Sequence, residues 1–399
     1  MILIKCCNFV TEKSELVYTI ESGDQTTVVR LTNKIMKNII GKAVLLASAL
    51  LFSVTGTSCS DDNNATPEQE QTYDMTGFAK GADVSWLTEM ERGGIKFYDA
   101  NGKATECMKL LRSIGTNSIR LRVWVNPDGG WCGKDDVVIK AWRAQQLGYR
   151  IMIDFHYSDT WADPAHQTVP AAWTNYTFDE MKRAVSAHTT DVLEALKARG
   201  VTNVEWVQIG NETRDGMLWN DANTAVTGRV SKNAANFAAY VNAGYDAVKA
   251  VYPQAKVVVH IDEGNNIGRY TWIFNELKNN NGKWDVIGMS LYPEDDNWKE
   301  LTDNCLANIK ALSKQYNCNV VISEIGMAWN SDQAEPMMKK MVKGCKAIST
   351  CEGVFYWEPE VYNGWRPANY ETLGWGAYTK GAFDNNGKPT AALNAFGAE

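Results

Sequence analysis

Histidine is scarce, with four residues in a chain of 399. Metal-dependent barrel hydrolases usually gather more than that, and no His-x-His pair follows the first predicted strand. None of the nine cysteines forms a Cys-x-x-Cys pair or a Cys/His cluster with zinc spacing. Asp154, His156, His260 and Asp262 keep a metallohydrolase as a competing reading, but no metal is expected. Positive charge is also short: 40 Lys and Arg against 47 Asp and Glu leave a net charge of −7, with no electrostatic footprint for nucleic acid. The apolar run Ala43–Val54 falls short of the ~20 residues that a membrane-spanning helix needs. No GxGxxG follows the first strand, which removes the phosphate loop that an open dinucleotide-binding sheet would normally carry.

What is present is an ordinary globular composition, 45% hydrophobic and 22% charged, with an unusual load of 15 Trp and 16 Tyr. Some of these rings must be core, but flat, stiff side chains in such number also suit a cleft that stacks on sugars. Ahead of the fold, Lys37 and Lys42 precede the apolar run, small residues follow, and Cys59 comes next with Ser60, Asp61 and Asp62. That order matches a secretory signal and resembles a bacterial lipoprotein site with an acidic export tag. The expected layout is an upstream, unexpressed start over 1–35, a signal peptide over 36–58, a lipid-anchored polar tether over 59–76 and one catalytic domain over 77–399. A cleavable signal with an incidental cysteine is the alternative. Six further cysteines, Cys107, Cys132, Cys305, Cys318, Cys345 and Cys351, could pair in an oxidising compartment. Cys305–Cys318 and Cys345–Cys351 are the nearest in sequence, among 15 possible connectivities for six cysteines.

From residue 77 onward, short β-rich runs alternate with helix-patterned stretches, the order of a parallel sheet with crossover helices. Strands are predicted near 78–84, 117–124, 149–155, 204–210, 256–261, 284–290, 318–323 and 353–358. Helices are predicted near 104–113, 135–147, 179–199, 231–251, 269–280, 298–315, 333–348 and 389–396. Several strands are nearly all apolar, as strands covered on both faces must be. Eight such units close a (β/α)8 TIM barrel. Barrel sites lie at the C-terminal ends of the strands, so polar residues should collect where each strand stops. They do so at Asp83 and Ser85, Arg120, Arg122 and Trp124, Asp154, His156 and Tyr157, Asn211 and Glu212, His260 and Asp262, Tyr292, Ser323 and Glu324, and Trp357 and Glu358.

Hydrolysing a glycoside needs an acid for the leaving oxygen and a carboxylate at the anomeric carbon. Glu212 ends the fourth strand and Glu324 the seventh, roughly across the barrel mouth. A lone glutamate in a polar loop is usually a solvated charge. Two at the mouths of buried strands call for a use.

The segments Gly81-Ala-Asp-Val-Ser-Trp86, Arg120-Leu-Arg-Val-Trp-Val-Asn-Pro127, Ile153-Asp-Phe-His-Tyr-Ser-Asp-Thr-Trp-Ala-Asp-Pro164, Gln208-Ile-Gly-Asn-Glu-Thr213 and Ile322-Ser-Glu-Ile-Gly326 resemble glycoside hydrolase family 53, the endo-β-1,4-galactanases. The likeness runs from about 77 to 397. The Asn-Glu and Ser-Glu pairs identify only the wider clan of barrel glycosidases, whereas the His156–Pro164 stretch is specific to the family. The resemblance implies that Glu212 is the general acid/base and Glu324 the nucleophile of a retaining double displacement on galactan, the side chain of pectin. It implies that Asn211 binds the sugar 2-hydroxyl and that Tyr292 holds Glu324. Asp83 is counted with the substrate-binding residues, and His156 would line the floor of the sugar site. Trp357 would be the platform, with Trp86, Trp124 and Trp161 at neighbouring subsites. Arg122 is expected to keep Glu324 ionised, leaving Arg120 for a structural ion pair.

One departure is the short loop after the seventh strand, between Ile325 and Met338. Family members with a longer insertion there can hold calcium, but here oxygen ligands are sparse and no DxDxDG-like run occurs, so a structural calcium is doubtful and no cofactor is required. The expected partners are β-1,4-galactan and galacto-oligosaccharides, met by a monomer anchored at the outer membrane or surface of a Gram-negative bacterium. The alternatives are another clan enzyme, a mannanase or endoglucanase, or a surface glycan-binding lipoprotein without catalysis.

Overall fold

The computed structural model describes residues 3–5, 15–22, 25–32 and 72–397. The chain divides into a unit Met1–Glu70 and a unit Gln71–Glu399. In the first, Leu3–Lys5, Glu15–Ser22 and Gln25–Thr32 form an antiparallel sheet, and these strands lie within the segment expected to precede the expressed start. The expected signal over 36–58, Cys59 and the tether as far as residue 71 lie outside the described residues.

The second unit contains a closed parallel barrel. Its strands are β1 Ala79–Asp83, β2 Ser118–Val123, β3 Arg150–Phe155, β4 Val204–Ile209, β5 Lys256–Ile261, β6 Val286–Leu291, β7 Asn319–Ile325 and β8 Cys351–Trp357. Each pairs with its sequence neighbours, and β8 closes on β1. The crossover helices are α1 Cys107–Ile114, α2 Lys134–Gln146, α3 Phe178–Ala198, α4 Val230–Val251, α5 Ile267–Asn279, α6 Trp298–Tyr316 and α7 Ala334–Lys346. The eighth connection is a 3₁₀ segment, Ala391–Phe396, rather than an α-helix. A Thr177–Glu180 capping box starts α3, which satisfies its first free N–H groups.

Side chains alternate along a strand, so polarity can change level by level inside the barrel. The lowest level is apolar: Ala79, Met152, Trp206, Val258, Val286, Val321 and Phe355 form a cluster of their own. A Cβ on Gly81 would come within 2.1 Å of the Phe355 ring, so only glycine admits that ring. Two residues further along, the same faces carry Asp154 above Met152, Gln208 above Trp206 and His260 above Val258, all fully buried. The barrel is therefore a packed apolar plug capped by a polar layer, with the mouth above it.

All six cysteines of the described barrel are free thiols. Neither pair considered from the sequence is bonded. Cys345 and Cys351 do adjoin, as packed sulfurs in hydrogen-bond contact.

Candidate active site

The end of β4 turns sharply. Gly210 has φ 79° and Glu212 φ 45°, both left-handed. A Cβ on Gly210 would lie 2.6 Å from a Thr213 methyl, so the turn requires glycine there. A bulky residue held at positive φ is uncommon and concentrates at functional sites, and Tyr157 (φ 51°) and Glu358 (φ 45°) share that conformation at the ends of β3 and β8. Opposite, the β6–β7 register jumps from Met289↔Ile322 to Ser290↔Glu324. The extra residue, Ser323, is a bulge that re-aims Glu324 into the mouth.

Glu324 is 4% exposed and Glu212 is half-buried. The Tyr292 hydroxyl donates to Glu324 Oε2 at 2.7 Å, the role expected from the sequence. Nη2 of Arg120 lies 2.9 Å from Glu324 Oε1. The expectation for Arg122 is thereby corrected, because Arg120 is the cation on Glu324. The reason is height. Two residues of strand separate the two arginines by about 6.6 Å. Arg120 is level with Asp83 (2.7 Å) and Asp154 (2.9 Å). Arg122, one level higher, reaches Glu358, just after β8, at 3.0 Å instead. Its guanidinium carbon lies 4.2 Å from the Trp161 ring centre, 5.1 Å from Trp124 and 5.4 Å from Trp86, a stacked cation that supports those rings.

Burial, with the negative charge of Glu324 next in weight, pushes the Glu212 carboxyl up to about 8. Burial raises Glu324 too, but Arg120 and the Tyr292 hydroxyl oppose that rise. Two carboxylates that feel each other do not both ionise readily, so the shared proton belongs on Glu212. The two glutamates thus differ as an acid and a nucleophile must.

Asn211 is 5% exposed. Its Oδ1 accepts from Arg120 Nη2 (3.0 Å) and Gln208 Nε2 (3.0 Å), and its Nδ2 donates to the Ala162 carbonyl (2.8 Å). One Nδ2 hydrogen is left for a ligand beside Glu212.

The remaining expected residues fall into two groups. Trp357 is half-buried at the end of β8, edge-on to Tyr378 with ring centres 4.6 Å apart, and can serve as a platform. Trp161 and Trp124 are 6% and 4% exposed and offer at most an edge. Trp86 at 1% lies beneath Trp161 and Trp357, at 5.6 and 5.2 Å between ring centres, and is the base of the aromatic wall rather than a subsite. Asp83 is fully buried, accepts from Ser85 and Arg120, and positions Arg120 instead of meeting a sugar. His156 is 3% exposed. Its Nε2 faces Asp154 Oδ2 at 3.0 Å, and its Nδ1 accepts from Trp124 Nε1 (3.2 Å) and the Ala162 amide (3.1 Å). Burial holds this imidazole below its usual range, so it is a neutral clamp on the loop after β3, behind the groove and not its floor.

Sequence reasoning did not assign Gln208, Ser290 or Tyr378 to the site, and it placed His260 at a strand end with a metal ligand as the only role weighed for it. His260 instead contacts Asn211 Oδ1 (2.9 Å) and Ser290 Oγ (2.7 Å) through its two ring nitrogens. The available signal was a polar residue at an inward position of an otherwise apolar strand, as in Val257-Val-Val-His260.

The family model for glycosyl hydrolase family 53 matches residues 79–396. The chain belongs to glycosyl hydrolase family 53. Among its relatives, the endo-beta-1,4-galactanase of Bacillus subtilis (strain 168) is 29% identical over 380 residues, covering 80% of this chain and 85% of that protein. The arabinogalactan endo-beta-1,4-galactanase of Thermothelomyces thermophilus is 30% identical over 342 residues, covering 79% and 98% respectively. Among solved structures, one of two fungal beta-1,4-galactanases superposes with a TM-score of 0.70 at 27% identity, covering 80% of this chain and 99% of that one. The family 53 catalytic domain of Ignisphaera aggregans gives 0.70 at 28%, covering 80% and 95%. The family 53 chain described here is a glycoside hydrolase on a TIM barrel.

Proposed function

We propose that this family 53 enzyme is an endo-β-1,4-galactanase that cuts galactan by a retaining double displacement. The observation that carries the chemistry is the electrostatic asymmetry of the pair: Glu212 holds a proton near neutrality while Arg120 and Tyr292 hold Glu324 as an anion. Glu324 attacks the anomeric carbon as the bond to the leaving O4 breaks, and Glu212 gives that oxygen its proton. Water then enters, Glu212 takes back a proton, and the glycosyl–Glu324 ester is cleaved to release a sugar with its configuration retained. Asn211 Nδ2 binds the 2-hydroxyl, and Trp357 stacks on the sugar. The galactan substrate is supported by the names of the relatives and by the third-strand motif.

The same reading includes export and lipid attachment at Cys59, supported by the charged, apolar, small-residue order before it. A diacylglycerol-type mass on the N-terminal peptide checks the anchor. Linear β-1,4-galactan with product sizing checks substrate and endo action together: internal cuts giving short oligomers are expected. Inert galactan beside cleaved mannan or cellulose would overturn the assignment.

A further inference from the structure

We infer that the face of the barrel opposite the mouth is a docking surface for an anionic bilayer, formed by Lys80, Lys310, Lys314, Lys343 and Lys346. The choice of a bilayer as partner rests on the lipid attachment at Cys59 proposed above.

Each crossover helix runs back against the strand before it, so the helix C-termini gather at the N-terminal ends of the strands. Their free carbonyls favour a cation in the last turn. At α1 and α4 that cation is used up. Arg112 donates to the Leu147 carbonyl (3.0 Å), and Lys249 meets Asp285 at 2.7 Å. In the sector of α6, α7 and β1 the cations are left over. Lys314 lies in the last turn of α6 with Lys310 one turn before it, and Lys343 and Lys346 lie in the last turn of α7. These four are exposed, and among the described residues neither they nor Lys80 form an ion pair. The nearby acids are committed elsewhere: Glu335 to Lys339 (2.7 Å), Glu352 to Lys256 (2.9 Å), and Asp74 to the amide (3.0 Å) and hydroxyl (2.7 Å) of Thr76.

Lys80, the second residue of β1, is half-buried and donates to the Phe396 carbonyl at 2.9 Å. Burial, then the charge of Lys346, holds it below its usual range, so two ammonium groups repel each other here. A groove of about 720 Å³ lies against α7 and the 3₁₀ segment, lined by Lys80, Lys343, Lys346 and Phe78 of the entering chain. A second hollow holds Lys310, Lys314 and Asn319. Lys346 of the first and Asn319 of the second both line a third, so the three join into one basic surface. Such a surface on a chain of net charge −7 fits phosphate-bearing headgroups, which each added lysine attracts further.

The entry of the chain selects a bilayer among polyanions. Asp74, Thr76, Gly77 and Phe78 arrive at this face, and Cys59 lies thirteen residues ahead of Thr72. Thirteen residues span at most roughly 45 Å. A lipid at Cys59 thus tethers the barrel by its basic face, and the mouth stays open to polymer.

Residues 59–399 with Cys59→Ser, made without the leader, contain the whole closed barrel and carry no lipid. They should sediment with vesicles of phosphatidylcholine and phosphatidylglycerol but not with phosphatidylcholine alone, and high salt should release them. Lys310→Gln, Lys314→Gln, Lys343→Gln and Lys346→Gln together should lower the partition coefficient at least about tenfold, with galactan cleavage unchanged. Lys343→Gln with Lys346→Gln serves if the fourfold variant fails to fold. Equal partition of variant and parent, no sedimentation with the anionic vesicles, or retention by polygalacturonate in their place overturns the surface. Release by inorganic phosphate at constant ionic strength would mark an isolated ion site and overturn it too. The mass of the wild-type N-terminal peptide reads the anchor separately. A wild type without lipid whose 59–399 chain still binds anionic vesicles refutes the anchor and leaves the surface standing. A lipidated wild type whose lipid-free chain ignores them refutes the surface alone.

Discussion

Nη2 of Arg120 stands 2.9 Å from Oε1 of Glu324 and 2.9 Å from Oδ2 of Asp154, with all three side chains at most 6% exposed. Glu324 is therefore held as an anion by a cation that other carboxylates lock in place. Asp154 stays ionised, below its usual range despite burial, because Arg120 and His156 face it. Replacing Arg120 with Met should cut kcat/KM on galactan by at least ~10²-fold. It should also move the acidic limb of the pH profile upward, because Glu324 loses the charge that opposes its burial. Arg122→Met should leave that limb where it is, since its partner is Glu358. A pH profile of both variants decides between the two arginines.

The paired glutamates set the wild-type profile. Activity requires Glu324 ionised and Glu212 protonated, so kcat/KM should rise through the first titration and fall above about 8, where Glu212 loses its proton. Glu324→Gln and Glu212→Gln should each lower galactan cleavage by several powers of ten while galactan still binds, as read by affinity electrophoresis. Proton NMR of early products should show the β-anomer first. An initial α-anomer would sink the double displacement.

The aromatic wall predicts a division between binding and stability. Trp357, half-buried at the mouth, should contribute to sugar binding, and Trp357→Ala should raise KM roughly ten- to a hundredfold, the effect of about 1.5–3 kcal/mol of lost aromatic burial, with a smaller change in melting temperature than Trp86→Ala. Trp86 is 1% exposed, so Trp86→Ala should cost about 3–5 kcal/mol of stability by leaving a cavity under Trp161 and Trp357. Thermal melts beside oligosaccharide kinetics separate the two.

The barrel was legible because strand and helix periods differ, and the predicted boundaries fall within a few residues of the observed ones. Glu212 and Glu324 were legible for a related reason: a charge directly after an apolar strand has few structural uses. The arginines were not separable. Arg120 and Arg122 share a strand face, and which level meets Glu324 depends on a bulge at Ser323 that no local pattern announces. Trp86 was misplaced because a tryptophan at a strand end reads the same whether it lines a groove or underlies one. Only the loop after β8, which packs Trp365, Tyr370 and Tyr378 against it, decides the matter.

Behind that wall lies an unusual pair. Glu358 and Glu360 are fully buried and feel each other's charge, with Arg122 on the first and, among the described residues, no other hydrogen-bond partner on the Glu360 carboxyl oxygens. Burial, then the charge of Asp83, pushes Glu358 up to about 8, and burial with Glu358 beside it raises Glu360 well above its ordinary 4.5. One proton bridging two carboxyls is the arrangement that removes their repulsion. Both groups hold protons more tightly folded than unfolded, so the folded state gains protons relative to the unfolded one between pH 4.5 and about 8. Stability must then fall as pH rises through that window, and the contribution is fullest below it. Glu360→Gln keeps a hydrogen-bond donor for Glu358 and removes one titration. It should raise the melting temperature at pH 8 to 9 by several degrees and change it little at pH 5. Equal melting temperatures at alkaline pH would mean that the pair carries no such proton.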